Sequence, residues 1–319
     1  MNITLEKIHL PLKVNWKLSR NETTFKENFI VILEEDGKKF YSEIAPNIRY
    51  GETHESILKQ FENWKSSTDY SLESLGDNLQ HSLRFGLESV LLSLQASREG
   101  KTLSEYLGLS PWLKKETSFS MPIIPVNEIQ EYLEKVSRFR HLKIKVDAHS
   151  ATEMLLEVAK FTDAKLRVDG NEAWKDFDEF MRFQEKVAHL NIEMMEQPFP
   201  SSCIEEYKKL KPLSRFELLA DESIEDVGDF NELSLQFHSI NIKLMKTGSL
   251  IRARELIEEA KRFKMKTMLG CMIETSIGIS YGMLFSGMVD YLDLDGYLLI
   301  KDEPFRLVRE EEGFLSLNS

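Results

Sequence analysis

Cysteine is almost missing from this sequence, and the two that occur, Cys203 and Cys271, stand far apart and in no CxxC spacing. Neither a disulfide framework nor a cysteine zinc site is indicated. None of the seven histidines has a partner at ligand spacing. Long apolar runs are missing too: no stretch reaches the roughly 18 residues a spanning helix needs, so no membrane association is expected. The opening "MNITLEKIHLPLK" lacks the basic-then-apolar order of a signal peptide, and a cytoplasmic location is expected. There is no excess of basic residues either. The formal charge is -12, and the lysines and arginines are scattered without aromatic interleaving, which disfavours nucleic acid as a partner. What remains is an ordinary globular chain of 319 residues, 42% hydrophobic and 29% charged. It can bury a large core and divides into one large domain and a smaller companion.

To about residue 110 the pattern is strand-like and then helical. "NFIVILEEDGKKFYSEIAP" reads as a hairpin turning at Asp36-Gly37, and "SLRFGLESVLLSLQASREG" carries helical periodicity up to Gly100. "GLSPWLKKETS" then leads into something different. The runs "HLKIKVD", "AKLRVDG", "LNIEMMEQP", "FELLADES", "SINIKLMKTG", "KMKTMLG" and "DYLDLDG" recur, most of them followed by a helical segment. Ser150 to Glu153 and Ser202 to Glu205 fit the S-x-x-E capping box and predict two helix starts. The polar residues closing the runs fall about 22 to 27 positions apart, the pitch of a repeated βα unit. With "SFSMPIIP" at 118–125 as a first strand the count approaches eight, and the expected architecture is a parallel (β/α) barrel.

Within "HLKIKVD", Leu142, Ile144 and Val146 alternate with Lys143 and Lys145. A solvated strand face is the ordinary reading of such a pattern. The other strands argue against it. Lys143, Lys145, Asp169, Glu196, Asp221, Lys243, Asp293 and Asp295 all lie at or near the C-terminal ends of their runs, the end where barrel active sites are built. Asp169, Glu196 and Asp221 close three successive strands, and three convergent carboxylates without His or Cys suit Mg2+. Lys145 and Lys243, on the second and sixth strands, would face a bound carboxylate substrate from opposite sides. A cation would stabilise the enediolate left when an α-proton departs. Lys143 together with Mg2+ is expected to lower the pKa of Lys145, and two opposed bases imply inversion of the centre.

In this order, "KIKVD", "VDGNEAW", "MEQPFP", "LADES", "NIKLMKTGS", "GCMIETSIG" and "DLDG" resemble the enolase superfamily, its muconate-lactonizing subgroup, and within it the dipeptide epimerases such as L-Ala-D/L-Glu epimerase. The resemblance is close from about 118 to 300 and looser through "EDGKKFYSEIAP" and "YGET". It implies an α/β fold: a modified (β/α)7β TIM barrel over 113–296 with an α+β capping domain over 1–112, completed by the tail 297–319. It also implies Mg2+ held by Asp169, Glu196 and Asp221, acid/base lysines at Lys145 and Lys243, and a helper, Lys143. Asp293 and Asp295 of "DLD" would hold the α-ammonium of a dipeptide, although a pair held by nearby lysines is the plainer alternative. Ser120, Cys271 and Ile273 would line the substrate. The segment "KLSRNETTFKEN" resembles a specificity loop over 16–28, with Arg20 near a position that meets a glutamate side chain in some relatives.

Ser249 stands where the family usually has glycine and is expected to cap a helix. Lys246 reads as structural, on the other strand face or in the loop. Asn171 and Glu222 are expected behind the metal ligands, and Met194, Met195, Met268, Met272, Met283 and Met288 as packing. The competing readings are an N-acylamino acid racemase, an o-succinylbenzoate synthase, or an inert barrel used as a binding protein. "DLD" argues against the first two and the complete set of lysines and acids against the third. Murein peptide recycling is what the resemblance implies for an Ala-Glu epimerase. The dipeptide itself and homo-oligomer formation stay open.

Overall fold

Alternating apolar residues near the N-terminus build an antiparallel sheet with two different faces. In the computed structural model, which describes residues 1–17, 22–67 and 69–318, β1 (Asn2–Lys17), β2 (Glu22–Glu35) and β3 (Lys38–Ile44) pair in that order. The β2–β3 turn falls at Asp36-Gly37, where both residues have positive φ, as a two-residue hairpin requires. One face carries Phe29, Val31 and Leu33 against Ile57 and Phe61 of α1 (His54–Ser67) and Leu83 and Leu87 of α2 (His81–Arg98). The other face, with Leu10, Leu12 and Ile30, joins the core of the second unit. The expected loop over 16–28 is mostly strand, because β1 runs to Lys17 and β2 begins at Glu22.

α3 (Leu103–Tyr106) and β4 (Lys115–Glu116) lead into eight parallel strands paired in sequence order. These are β5 (Phe119–Met121), β6 (His141–Lys145), β7 (Lys165–Asp169), β8 (Ile192–Glu196), β9 (Glu217–Ala220), β10 (Ser239–Lys243), β11 (Lys266–Gly270) and β12 (Tyr291–Asp293). Between them lie α4 (Ile129–Lys135), α5 (Ala151–Val158), α6 (Phe177–Val187), α7 (Ile204–Leu210), α8 (Phe230–Gln236), α9 (Leu244–Thr247), α10 (Leu250–Arg262) and α11 (Ser276–Met283). Ser118 N donates to Leu292 O across the remaining gap, bringing β12 back to β5. The first strand is shorter than its expected 118–125. Residues 298–301 touch β1 through Lys13 Nζ to Leu298 O and Lys301 N to Pro11 O. β13 (Val308–Glu311) and β14 (Phe314–Leu317) then form a small sheet with β4. Among the described residues no helix is long and apolar enough to cross a membrane.

The two predicted capping boxes do not form. Ser150 stands at the N-cap of α5, but its hydroxyl donates to Asp147 Oδ2 instead. α7 starts one residue later than predicted, from Cys203, with no side-chain cap. Ser249 does cap α10, accepting from Arg252 N at 3.1 Å.

Strand alternation divides the barrel into two environments. Leu142, Ile144, Leu166, Val168 and Ile242 point outward and pack under the helices in the main core. Inward, Met194, Leu219 and Met268 form a separate apolar cluster with Tyr291, one side-chain layer below the strand ends. Arg167 shares that interior. Its guanidinium lies 5.0 Å from the Tyr291 ring, donates to Leu292 O at 2.9 Å, and pairs with Glu193 Oε2 at 3.0 Å. Burial works against a charged Glu193, yet His141 and Arg167 hold its carboxyl well below the usual range.

Glu193→Gln keeps the shape and removes the charge, so the folded state should lose about 2 kcal/mol at neutral pH, read as a lower urea midpoint. Because the folded carboxyl titrates below its unfolded value of about 4.3, its contribution is complete above that value and is lost as pH falls through the folded one. The gap between wild type and variant should therefore close in acid. A gap that stays constant down to about pH 2 would contradict the pairing.

Candidate active site

The inward residues at the C-terminal strand ends meet in one polar layer. Asp169 and Glu196 end β7 and β8, Asp221 follows β9 by one residue, and all three are almost fully buried. Lys143 and Lys145 come from β6 and Lys243 from β10, the second and sixth of eight strands, so the barrel places the last two across from each other. Lys143 Nζ sits among Glu196 Oε2 at 2.7 Å, Asp293 Oδ2 at 2.9 Å and Asp169 Oδ2 at 3.1 Å. Lys145 pairs with Asp169 at 2.5 Å and Lys243 with Asp221 at 2.7 Å. The solvated-face reading of the KxK pair is thereby excluded.

Charge and burial oppose each other throughout this layer. Burial disfavours charge on Asp169, but Lys145 and Lys143 outweigh it and hold the carboxyl down at about 2. For Glu196, burial and the Asp169 charge prevail over Lys143 and push it up to about 7. Lys243 is raised despite burial because Asp221 faces it, and Lys143 is raised well above its ordinary value by Asp293, Glu196 and Asp169. Lys143, expected as a helper that binds substrate and acts on Lys145, has its charge engaged by three carboxylates.

Among the described residues no three acidic, imidazole or thiol side chains converge as a formed metal cage. The donors nevertheless fit a hard cation in kind: three buried carboxylates on successive strands, all oxygen. Glu196 Oε2 is buried with the Lys143 ammonium 2.7 Å away as its charge partner and no further donor among the described residues. Glu196 Oε1 is held by Asn241 Nδ2 at 2.9 Å. A Cβ at Gly270 would stand 2.4 Å from Asn241 Oδ1, so only glycine leaves room for that amide.

Of the residues that support these groups, Asn241 and Gln197 were not singled out from the sequence. Lys246 lies on α9 rather than on a strand and is fully buried; its ammonium reaches Asp221 O at 2.6 Å, Asp221 Oδ1 at 2.8 Å and Asn241 O at 3.1 Å. It is structural, as expected, but what it supports is the candidate site itself. Gln197 Oε1 accepts from Asp221 N at 2.9 Å. Gln197 (φ 36°), Asn171 (φ 42°) and Glu172 (φ 64°) adopt left-handed conformations just past β7 and β8, where chain reversal is forced beside the site. Parity alone points Asn241 inward with Lys243; nothing local marks Gln197. Asn171 and Glu222 stand behind the carboxylates, with Asn171 N donating to Asp169 Oδ1 at 3.0 Å and Asn171 Nδ2 to Glu222 Oε1 at 3.5 Å.

The "DLD" pair faces the same space. Asp293 accepts from Lys143 and, at 2.6 Å, from Ser118 Oγ, and these bonds overcome burial to hold its carboxyl low. Asp295 Oδ2 accepts from Ser120 N at 2.6 Å, and burial with the Asp293 charge pushes it up to about 7. Ser120, Cys271 and Ile273 all line the cavity of about 790 Å³ above these groups. Met272, expected as packing, lines it as well. Arg20 lies outside the described residues.

The N-terminal sheet roofs this cavity and fixes its rim. Asn28 Nδ2 donates to Ile273 O at 3.0 Å and to Glu43 Oε1 at 2.7 Å. Glu43, fully buried, accepts from Thr275 N at 2.9 Å, Thr275 Oγ1 at 2.6 Å and Gly278 N at 3.2 Å, so it sits on the N-terminus of α11. Arg49 reaches across to Glu172 at 2.8 Å.

The Enolase C-terminal domain-like family model matches residues 126–308, more than half of the chain. An L-Ala-D/L-amino acid epimerase of Pedosphaera parvula (strain Ellin514) is 31% identical over 97% of this chain and 94% of its own. An L-Ala-D/L-Glu epimerase of Bacteroides thetaiotaomicron is 29% identical over 100% of this chain and 86% of its own. A dipeptide epimerase of Methylococcus capsulatus, solved with Mg and the dipeptide L-Arg-D-Lys, superposes with a TM-score of 0.90 at 27% identity, covering 100% of this chain and 97% of that one.

Glu43→Ala should release the start of α11. The Thr275 and Gly278 amides then exchange with D2O about tenfold to a hundredfold faster, while amides inside the barrel strands do not change. Uniform acceleration across the barrel would mean that Glu43 supports the fold as a whole and not this rim.

Proposed function

This chain belongs to the enolase superfamily, among its dipeptide epimerases, and on that premise we propose that its barrel mouth inverts the α-carbon of a dipeptide's C-terminal residue by a Mg2+-dependent 1,1-proton transfer. The observation that carries the reading is the placement of Lys145 and Lys243 on the second and sixth strands, with the carboxylates of the third, fourth and fifth between them. Asp169, Glu196 and Asp221 would hold Mg2+, which when bound supplies the positive charge that lets a carboxyl group take on a second negative one. Whichever lysine lies on the side of the α-hydrogen takes it, and the other returns a proton from its own side. Lys246 and Gln197 keep Asp221 in place, and Asn241 does so for Glu196. The roof keeps bulk water from the exchanging proton. A cytoplasmic setting is consistent with two cysteines that remain unpaired.

Asp293 and Asp295 would receive the dipeptide's free ammonium. Asp293 is already engaged by Lys143 and Ser118, so Asp295 is assigned the larger share. This separates the dipeptide reading from an N-acylamino acid racemase, whose substrates have no cation at that position.

Chelation should abolish epimerisation and added Mg2+ should restore it; full turnover in excess chelator would remove the basis for the three carboxylates' role. Lys145→Ala and Lys243→Ala should each stop inversion. Each should still wash solvent deuterium into the one epimer that the remaining lysine faces, as read by mass spectrometry in D2O.

Asp295→Asn should lower kcat/KM for a free dipeptide by about tenfold to a hundredfold, the worth of one charge-assisted hydrogen bond. An N-acetylated dipeptide should be a poor substrate for wild type and lose little further. Equal losses on both substrates would return the assignment to the racemase.

A further inference from the structure

The two lysines assigned as bases are held in place differently. Lys145 ends β6, and among the described residues the segment after it bonds within the barrel. Val146 N donates to Asp169 O at 3.1 Å, and the His149 and Ser150 amides donate to Asp147 Oδ1 at 3.0 and 2.8 Å. Lys243 ends β10 and leads straight into α9, a single turn. That turn closes back on the lysine: Thr247 Oγ1 donates to Lys243 O at 3.0 Å, and Gly248 N to Leu244 O at 2.8 Å. A helix of one turn has too few internal hydrogen bonds to keep its shape by itself.

The capping domain supplies the support. Ala45 N, just past β3, donates to Met245 Sδ at 3.4 Å. His81, the first residue of α2, donates from Nδ1 to Lys246 O at 2.7 Å, since a carbonyl can only accept. Gly248 packs so closely on the same residue that a Cβ there would stand 3.0 Å from His81 Cα. About two turns further along α2, the buried Glu88 carboxylate accepts from Ser249 Oγ at 2.6 Å and from Leu250 N at 2.5 Å. It therefore sits on the N-terminus of α10, and Ser249 completes the junction by accepting from Arg252 N. The stretch from Met245 to Leu250 is thus gripped by the roof along its length. Lys246, which reaches Asp221 from within it, is gripped too.

Proton transfer tolerates little misplacement: the reacting atoms must lie about 3 to 3.5 Å apart, and a displacement of about 1 Å costs on the order of a hundredfold. We propose that Glu88, His81 and Ser249 are positioning residues for Lys243. On the epimerase reading above, on which this rests, the capping domain then governs proton transfer at one face of the α-carbon, while the barrel alone governs the Lys145 face.

The test reads each face separately, as α-hydrogen exchange of L-Ala-L-Glu and L-Ala-D-Glu in D2O with Mg2+. Glu88→Gln keeps the shape but removes the charge and one acceptor. In the Lys145→Ala background, where Lys243 alone exchanges, adding Glu88→Gln should slow deuterium wash-in about tenfold. In the Lys243→Ala background the same addition should leave the rate unchanged. Ser249→Ala, a milder cut at the same junction, should act on the same face, and it decides the matter if Glu88→Gln does not fold. Apart from turnover, Glu88→Gln should speed D2O exchange at the Gly248 and Leu250 amides and not at those of Val146 and Ala151. Equal slowing on both faces, or slowing on neither, overturns the proposal. Exchange of neither dipeptide by wild type removes the epimerase reading, and this proposal falls with it; wild-type exchange on both faces with no face-selective loss removes this proposal alone.

Discussion

Charge balance in a buried layer is the constraint on which the rest of this structure depends. Five carboxylates, Asp169, Glu196, Asp221, Asp293 and Asp295, and four ammonium groups, Lys143, Lys145, Lys243 and Lys246, are almost entirely withdrawn from water at one end of the barrel. Desolvation of so many charges costs far more than any one pair returns. They are tolerated because lysines flank the run of three carboxylates on both sides, with Lys143 touching three strands' carboxylates at once. The carboxylates outnumber the ammonium groups by one, and burial together with the neighbouring Asp169 and Asp293 charges pushes Glu196 and Asp295 up to about 7. The layer is therefore poised to accept positive charge, as the proposed metal and the substrate's ammonium both require.

The rest of the barrel makes that layer affordable. Outward-facing Leu142, Ile144, Leu166, Val168 and Ile242 form the main core with the helices, which supplies the stability that the polar mouth consumes. Below the mouth, Met194, Leu219, Met268 and Tyr291 seal the interior, while Arg167 spans it with its charge answered by Glu193. A polar layer resting on an apolar one keeps water from entering from beneath. Each strand thus changes environment between its middle and its end.

The N-terminal sheet is more than a cover. One face of β2 packs on α1 and α2, while the other holds the 271–275 segment through Asn28 and presents Lys26 to the cavity. The same strand therefore links the stability of the roof to the shape of the rim. Glu43 completes the link by sitting on the N-terminus of α11, where a carboxylate meets both the helix dipole and unsatisfied amides.

Much of this was legible before folding. The alternation in "HLKIKVD" correctly separates Lys143 and Lys145 from Leu142 and Ile144, and the even pitch of the runs gives eight parallel strands, because side-chain parity and strand-helix length are local properties. The two S-x-x-E boxes failed where a competitor lay close by: Asp147 takes the Ser150 hydroxyl, and α7 begins a residue late. The 16–28 segment was expected as a loop from its resemblance to the family's specificity loop, yet β1–β2 pairing keeps most of its described residues extended. What the sequence by itself determined is which residues face inward and at which strand ends the charged groups stand. Only the tertiary structure decided which charge answers which, since Lys143 meets Asp293 across 150 residues and Asn28 meets Ile273 across 245. Such contacts follow from closing the barrel and seating the roof, and no periodicity along the chain encodes a distance between its ends.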